Sequence, residues 1–127
     1  IGGISMKLSN AIEDDLFEPR TVYFNTGKNT LPVDTAFTNY IERVKIWLQN
    51  HADKKLTVTG YTDNVGDADK NMQLSVNRAA FVKNELAAMG ISSLQIESSG
   101  KGMNEPAADN NTNEGRAKNR RVSIQLQ

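Results

Sequence analysis

Apolar residues recur along this chain with two different periods, and the change from one period to the other constrains the fold more than any other feature. Alternating or β-branched segments predict four strands, at residues 21–25, 55–61, 94–99 and 120–127. Spacings of three and four residues predict a helix from Val33 to about Asn50 and a second helix that ends at Gly90. The resulting order, β-α-β-α-β-β, predicts an α+β fold in which helices cover a mixed four-stranded sheet with a late hairpin-like return.

The 127 residues suffice for one domain with a hydrophobic core and are too few for two. Residues 1–20 have a weak pattern that ends at a proline turn, so we expect an N-terminal arm or linker from a longer chain, followed by one domain at 21–127. Residues 100–119 predict a long polar loop with one helical turn near 114–118. Any membrane attachment is expected to lie in a segment upstream of Ile1.

The residue types argue against an enzyme. The chain has no cysteine and a single histidine, His51, which we expect in an exposed loop after the first helix. No serine lies in a nucleophile elbow, so a nucleophile and its base are hard to assemble. Asp14 and Asp15 lie in the unpatterned arm, where the sequence identifies no partner for them. We therefore expect no catalytic residues and no cofactor.

A metal site and a nucleic-acid surface are also disfavoured. The segment DADKNMQLSVNR, residues 67–78, aligns with a calcium-binding EF-hand loop at its first ligands, but Met72 and Arg78 stand where glycine and glutamate are required. Lys plus Arg and Asp plus Glu number 15 each, without the basic excess of a nucleic-acid binder. The basic segment GRAKNRR, residues 115–121, predicts a solvated face, except that Arg120 shares the parity of the buried positions in the last strand.

Three polar residues lie where apolar ones are expected. Arg78 is in the middle of the apolar stripe of the second helix, and Asn71 lies two turns earlier on the same face. Asp63 follows the second strand directly. Because arginine is rarely buried without a partner, Arg78 predicts either an internal salt bridge with Asp63 or a ligand that carries both an ammonium and a carboxylate group.

Several spaced motifs resemble the OmpA-like C-terminal domain family, from about Val22 to Leu126. They are TD-x2-G, N-x2-LS-x2-RA, G-x-G-x3-P and N-x-GRA-x-NRRV. The family includes outer-membrane proteins, peptidoglycan-associated lipoprotein and flagellar-motor stator subunits. The resemblance implies non-covalent binding of peptidoglycan from the periplasm of a Gram-negative bacterium, through the diaminopimelate of the stem peptide, by a module that anchors an outer-membrane-associated protein to the cell wall.

The resemblance also implies the binding residues. Asp63 and Arg78 match the family's main ligand-binding pair, and the supporting positions match Thr62, Asn71, Arg120, Phe24, Asn25 and Thr26. One departure is Tyr61, where the family usually has histidine, so the edge of the pocket is expected to differ. Two alternatives remain: a protein-interaction module with an internal Asp63–Arg78 salt bridge, and the periplasmic domain of a stator subunit.

Overall fold

The computed structural model of the protein describes residues 15–24 and 34–127. Its strands are β1 (Arg20–Tyr23), β2 (Leu56–Tyr61), β3 (Ile96–Gly100) and β4 (Arg121–Leu126). Its helices are α1 (Thr35–Gln49), α2 (Ala68–Ala88) and α3 (Asn113–Asn119), with a 3₁₀ turn at Ser93–Gln95. The predicted elements are therefore confirmed within a few residues, and the single helical turn predicted near 114–118 is the two-turn helix α3.

The four strands form one mixed sheet in the order β1-β4-β2-β3. β2 and β3 run parallel, whereas β4 runs antiparallel to both of its neighbours, β1 and β2. The mixed α+β architecture is confirmed, but the predicted hairpin-like return is wrong, because β3 and β4 do not pair. The loop after β3 and helix α3 carry the chain past β2, and β4 then enters between β1 and β2.

Side-chain caps and apolar stripes fix the two long helices. Asp34 caps α1 by accepting a hydrogen bond from the backbone N–H of Phe37 at 2.7 Å, and Asp67 caps α2 by accepting from Lys70 at 3.1 Å. α2 ends where Gly90 adopts φ +107°, a left-handed conformation that favours glycine. The buried apolar residues of both helices and of the core-facing strand positions form one hydrophobic core.

Two glycines allow α2 to approach the sheet closely. Gly60 in β2 and Gly100 in β3 are register partners, and both lie directly beneath Ser75, which is fully buried. A Cβ at Gly60 would collide with the carbonyl oxygen of Ser75. The Ser75 hydroxyl in turn accepts a hydrogen bond from the N–H of Gly102 at 2.8 Å, so it ties the loop after β3 to the helix.

The residues just before β1 pack against the domain. Leu16 is buried in the core, and the ring of Phe17 meets Trp47 edge-on with centroids 5.4 Å apart. Asp15 forms ion pairs with Arg20 and Arg43 at 3.1 and 3.0 Å, two partners that the sequence did not identify. Asp15, Leu16 and Phe17, which lie in the segment predicted to be an arm or linker, thus pack against the rest of the described structure.

Over the two ranges described above, no helix combines the length and the apolar character needed to cross a membrane.

Candidate functional site

A cleft of about 420 Å³ opens at one end of the sheet, where β2 ends and β4 begins. One wall comes from the first half of α2, and the other comes from α3. It is lined by Thr62, Asp63, Val65, Asn71, Leu74, Arg78, Asn113, Arg116 and Arg120. Five of the eight binding residues predicted from the sequence are therefore brought together here.

Asp63 is held by two donors at the centre of the cleft. Its Oδ2 accepts from Nη1 of Arg120 at 3.0 Å, and its Oδ1 accepts from the backbone N–H of Val65 at 3.1 Å. The Asp63 and Arg120 side chains are only 14% and 18% exposed, so solvent screens their ion pair less than it screens a surface pair. The carboxylate is thereby oriented before any ligand arrives.

Arg78 is buried beside this pair without an ion-pair partner in the described part of the chain. Its side chain is 3% exposed, and its guanidinium carbon lies 5.4 Å from the centre of the Phe24 ring. Across residues 15–24 and 34–127, Nε and Nη1 of Arg78 have no hydrogen-bond acceptor. The internal Asp63–Arg78 salt bridge that the sequence left open is therefore not formed, because Asp63 pairs with Arg120 instead.

The surroundings of Arg78 disfavour its positive charge. Burial lowers the pKa of the guanidinium most, and the neighbouring charge of Arg120 lowers it further, while Asp63 acts in the opposite direction. A buried charge without a bonded partner is costly, and an anion placed beside it would relieve that cost. The cleft is thus arranged to accept a negatively charged group next to Arg78.

Asn71 and Thr62 shape the loop that carries Asp63. The Asn71 amide donates to the carbonyl oxygen of Val65 at 3.1 Å, and Asn71 is 7% exposed. The Thr62 hydroxyl donates to the carbonyl of Asp63 at 2.8 Å, while the Thr62 N–H donates to the Gly102 carbonyl at the same distance. Both residues line the cleft, and both hold the backbone around Asp63 in place.

Arg120 and Phe24 join the cleft to the end of β1. The N–H of Phe24 donates to the carbonyl of Arg120 at 3.0 Å, and Nε of Arg120 donates back to the carbonyl of Phe24 at 3.3 Å. Phe24 is buried and reaches the site through its contact with Arg78. Asn25 and Thr26, the other two predicted residues, lie outside the described residues.

Four residues of the cleft were not predicted: Val65, Leu74, Asn113 and Arg116. Arg116 is the most consequential, because we expected the segment around it to be a solvated face. It is half-buried, and its guanidinium donates to the carbonyl of Asn110 at 2.7 Å and to Oδ1 of Asn113. Its spacing of four residues from Arg120 was the available signal, since residues four apart share one face of a helix.

A buried asparagine fixes the α3 wall. Asn119 is fully buried, accepts from the N–H groups of Ala107 and Ala108 at 2.7 and 2.9 Å, and donates to Ala108 and Asn110. Gly115 packs against the backbone of Asp109 so closely that a Cβ would clash. The polar loop before α3 is therefore tied to the helix, which sets the position of Arg116.

Tyr61 and His51 are not part of the cleft lining. Tyr61 stands on the opposite side of β2 from Gly60 and Thr62, where its ring centre lies 3.7 Å from the guanidinium carbon of Arg121. The departure from histidine at this position therefore lies outside the cleft lining. His51 stacks on Trp47 with ring centres 3.9 Å apart, at the end of α1. In the portion of the chain that is described, no three His, Asp or Glu side chains cluster as metal ligands.

Comparisons with known proteins agree on one family. The profile of the OmpA family matches residues 23–120. The chain is 42% identical over 100 residues to "Peptidoglycan-binding protein ArfA" of Mycobacterium tuberculosis, a match that covers 79% of this chain and 30% of that protein. It is 44% identical over 133 residues to "Outer-membrane lipoprotein YfiB" of Pseudomonas aeruginosa, covering 96% and 77%.

A solved structure gives the same result for the fold. The crystal structure of the peptidoglycan-associated lipoprotein from Burkholderia pseudomallei superposes with a TM-score of 0.73 at 25% identity, covering 85% of this chain and 90% of the other. The chain spans only about a third of the length of its ArfA relatives.

Proposed function

This chain belongs to the OmpA family, and from that premise and the geometry of the cleft we propose that it binds peptidoglycan non-covalently. The ligand is the diaminopimelate of the stem peptide, whose side-chain end carries an amine and a carboxylate on one carbon. The module would anchor an outer-membrane-associated protein to the cell wall from the periplasm. The name of the ArfA relative supports peptidoglycan as the polymer, and the name of the YfiB relative supports the outer-membrane location.

The observation that carries this proposal is the buried guanidinium of Arg78 next to an oriented carboxylate. A ligand carboxylate placed beside Arg78 supplies the anion that the described residues do not. The ligand amine on the same carbon then lies close to Asp63. Charge-assisted hydrogen bonds of this kind are about twice as strong as neutral ones, which favours a zwitterionic end group over a plain amine or a plain acid.

Binding of this kind needs no catalytic group. Asp63, Asn71 and Arg120 are held by hydrogen bonds to the loop, to each other or to the end of β1, so the site is preorganised on the scaffold. The cleft is concave and mixes apolar and polar walls, as small-ligand sites do. Such a site would hold the protein on a polymer without changing the polymer chemically.

The test is a pull-down with insoluble peptidoglycan that contains diaminopimelate. We expect Asp63→Ala and Arg78→Ala to abolish retention, while Asp69→Ala, an exposed position in the first turn of α2, serves as the matched control and retains it. Circular dichroism of each variant verifies folding. Undiminished retention of both cleft variants would overturn the site.

Peptidoglycan of a different composition tests whether diaminopimelate is the ligand. Peptidoglycan with lysine in place of diaminopimelate lacks the carboxylate that Arg78 is proposed to meet, so we expect weaker retention. Titration with free diaminopimelate, followed by NMR, should shift the amide signals of Thr62 and Asp63 first. Equal retention on both polymers, with no shift at these residues, would overturn diaminopimelate as the ligand, whereas no retention on either polymer would favour the protein-interaction alternative.

A further inference from the structure

The charges that line the cleft exceed what one zwitterionic group can match. The lining contains three arginines and one carboxylate, Asp63. Among the described residues, only Arg120 of the three forms an ion pair. A ligand end group with one amine and one carboxylate has no net charge, so it leaves the positive excess of the cleft unchanged.

Arg116 carries part of the positive charge of the cleft, and it lies on the wall formed by α3, opposite α2. Its guanidinium lines the cleft from α3, whereas Arg78 lines it from α2. The hydrogen bonds to Asn110 and Asn113 hold the Arg116 side chain in one place. An arginine has five N–H donors, so these two bonds leave donors for a third partner.

We propose that Arg116 recognises a second carboxylate of the ligand, on a residue joined to the diaminopimelate. This inference rests on the proposed function, because the diaminopimelate end group at Asp63 and Arg78 positions the rest of the ligand. The part that extends from this end group toward α3 meets Arg116 and Asn113. The cleft is then specific for an acidic peptide that contains diaminopimelate, and free diaminopimelate occupies only half of the site.

The alternative role for Arg116 is purely structural. Its two hydrogen bonds join the segment before α3 to the first turn of that helix, so losing them could disturb the cleft for every ligand alike. A second-carboxylate site predicts something different, namely a loss confined to ligands that carry the extra carboxylate. The two roles are separated by comparing two ligands on the same variant.

The experiment uses two dipeptides and isothermal titration calorimetry. In the first, the γ-carboxyl of glutamate acylates one amine of meso-diaminopimelate, and the glutamate α-carboxylate is free. In the second, that α-carboxylate is a carboxamide. We expect the unmodified protein to bind the acid about five-fold more tightly than the amide, with a ratio that shrinks at high salt, because the contact lies at a half-exposed side chain.

Arg116→Gln should bring the two dipeptides to equal affinity while retaining the affinity for the amide, and Arg116→Lys should keep part of the preference. Lys118→Gln is the matched control, since it removes the same charge from the same helix at an exposed position outside the cleft lining, and it should retain the five-fold ratio. A ratio that survives in Arg116→Gln, or an equal loss of both dipeptides in Arg116→Gln and Arg116→Lys, would overturn the inference. Equal affinities in the unmodified protein would overturn it while leaving the proposed function intact, whereas failure of both dipeptides to bind would overturn both.

Discussion

Two clusters in this protein each contain one aspartate, two arginines and one aromatic ring. Only in the first cluster do both arginines form an ion pair with the aspartate. In the first, Asp15 pairs with both Arg20 and Arg43, and the guanidinium of Arg20 lies 4.2 Å from the centre of the Tyr40 ring. In the second, Asp63 pairs with Arg120 alone, and Arg78 lies over Phe24 without an ion-pair partner among the described residues.

The two clusters also differ in exposure. The Asp15 side chain is 49% exposed, so water solvates whatever its partners do not. Arg78 is almost fully buried, and its Nε and Nη1 are shielded from solvent without an acceptor among the described residues. Residue types alone therefore do not distinguish a structural ion pair from the proposed binding site. An unmatched charge in a buried position does.

We expect the largest difference between the clusters when one arginine of each, Arg78 or Arg20, is replaced by methionine. Arg78→Met removes a buried charge and retains most of the volume, so we expect the free energy of unfolding to rise by about 1 kcal/mol while affinity for diaminopimelate falls at least a hundred-fold. Arg20→Met in the first cluster should lower stability slightly and leave affinity unchanged. Urea denaturation and calorimetry measure the two quantities. A loss of stability in Arg78→Met would mean that its charge is already compensated.

The next difference concerns the aspartates. Asp63→Asn leaves two arginines facing each other at a poorly exposed site, and we expect the free energy of unfolding to fall by about 2 kcal/mol. Asp15→Asn should cost less, and its effect should disappear in 1 M NaCl, because exposed pairs are screened by salt. Thermal unfolding at low and high salt compares the two variants. If both effects responded equally to salt, the clusters would not differ in solvation as the structure indicates.

The smallest expected difference concerns how the free energy of unfolding changes at acidic pH. The hydrogen bond from Arg43 lowers the pKa of Asp15 below its ordinary value of 3.8, and the charge of Arg20 adds to this effect, while partial desolvation opposes it. Because the folded-state pKa is depressed, the stabilisation is complete above about pH 5 and is lost as the pH falls through the lowered pKa. Asp15→Asn should therefore show a slightly flatter decline of stability between pH 5 and pH 2. An unchanged slope in urea denaturation across this range would contradict the lowered pKa.

The sequence predicts the burial of Arg78 in the second cluster and no contact of the first cluster, for a physical reason. Arg78 interrupts a regular apolar stripe, so its burial follows from helical periodicity alone. Asp15 lies in a segment without periodicity, and its partners are 5 and 28 residues away in positions that only the packed structure brings together. Local patterns identify which residues are buried, and they do not identify which distant residues meet.

The position of β4 shows the same limit. The alternation of the last segment predicts a strand, but strand order depends on how the long loop and α3 cross the sheet. That crossing inserts β4 between β1 and β2 and brings Arg120 to Asp63. Arg116 was misassigned for a related reason, because charged residues in a polar segment look solvated until the tertiary fold encloses them.

The pairing of β1 with β4 has a consequence for a domain under tension. β1 runs from the residues that follow Asp15 toward the cleft, with four register pairs from Arg20–Ile124 to Tyr23–Arg121. If the chain is pulled from its N-terminal side while the cleft is held by a fixed polymer, the force runs along β1. Antiparallel hydrogen bonds lie across the strands, so such a pull loads them together in shear rather than one after another. The sheet is thus oriented to resist mechanical unfolding under such a pull, independently of the equilibrium affinity of the cleft for the proposed ligand.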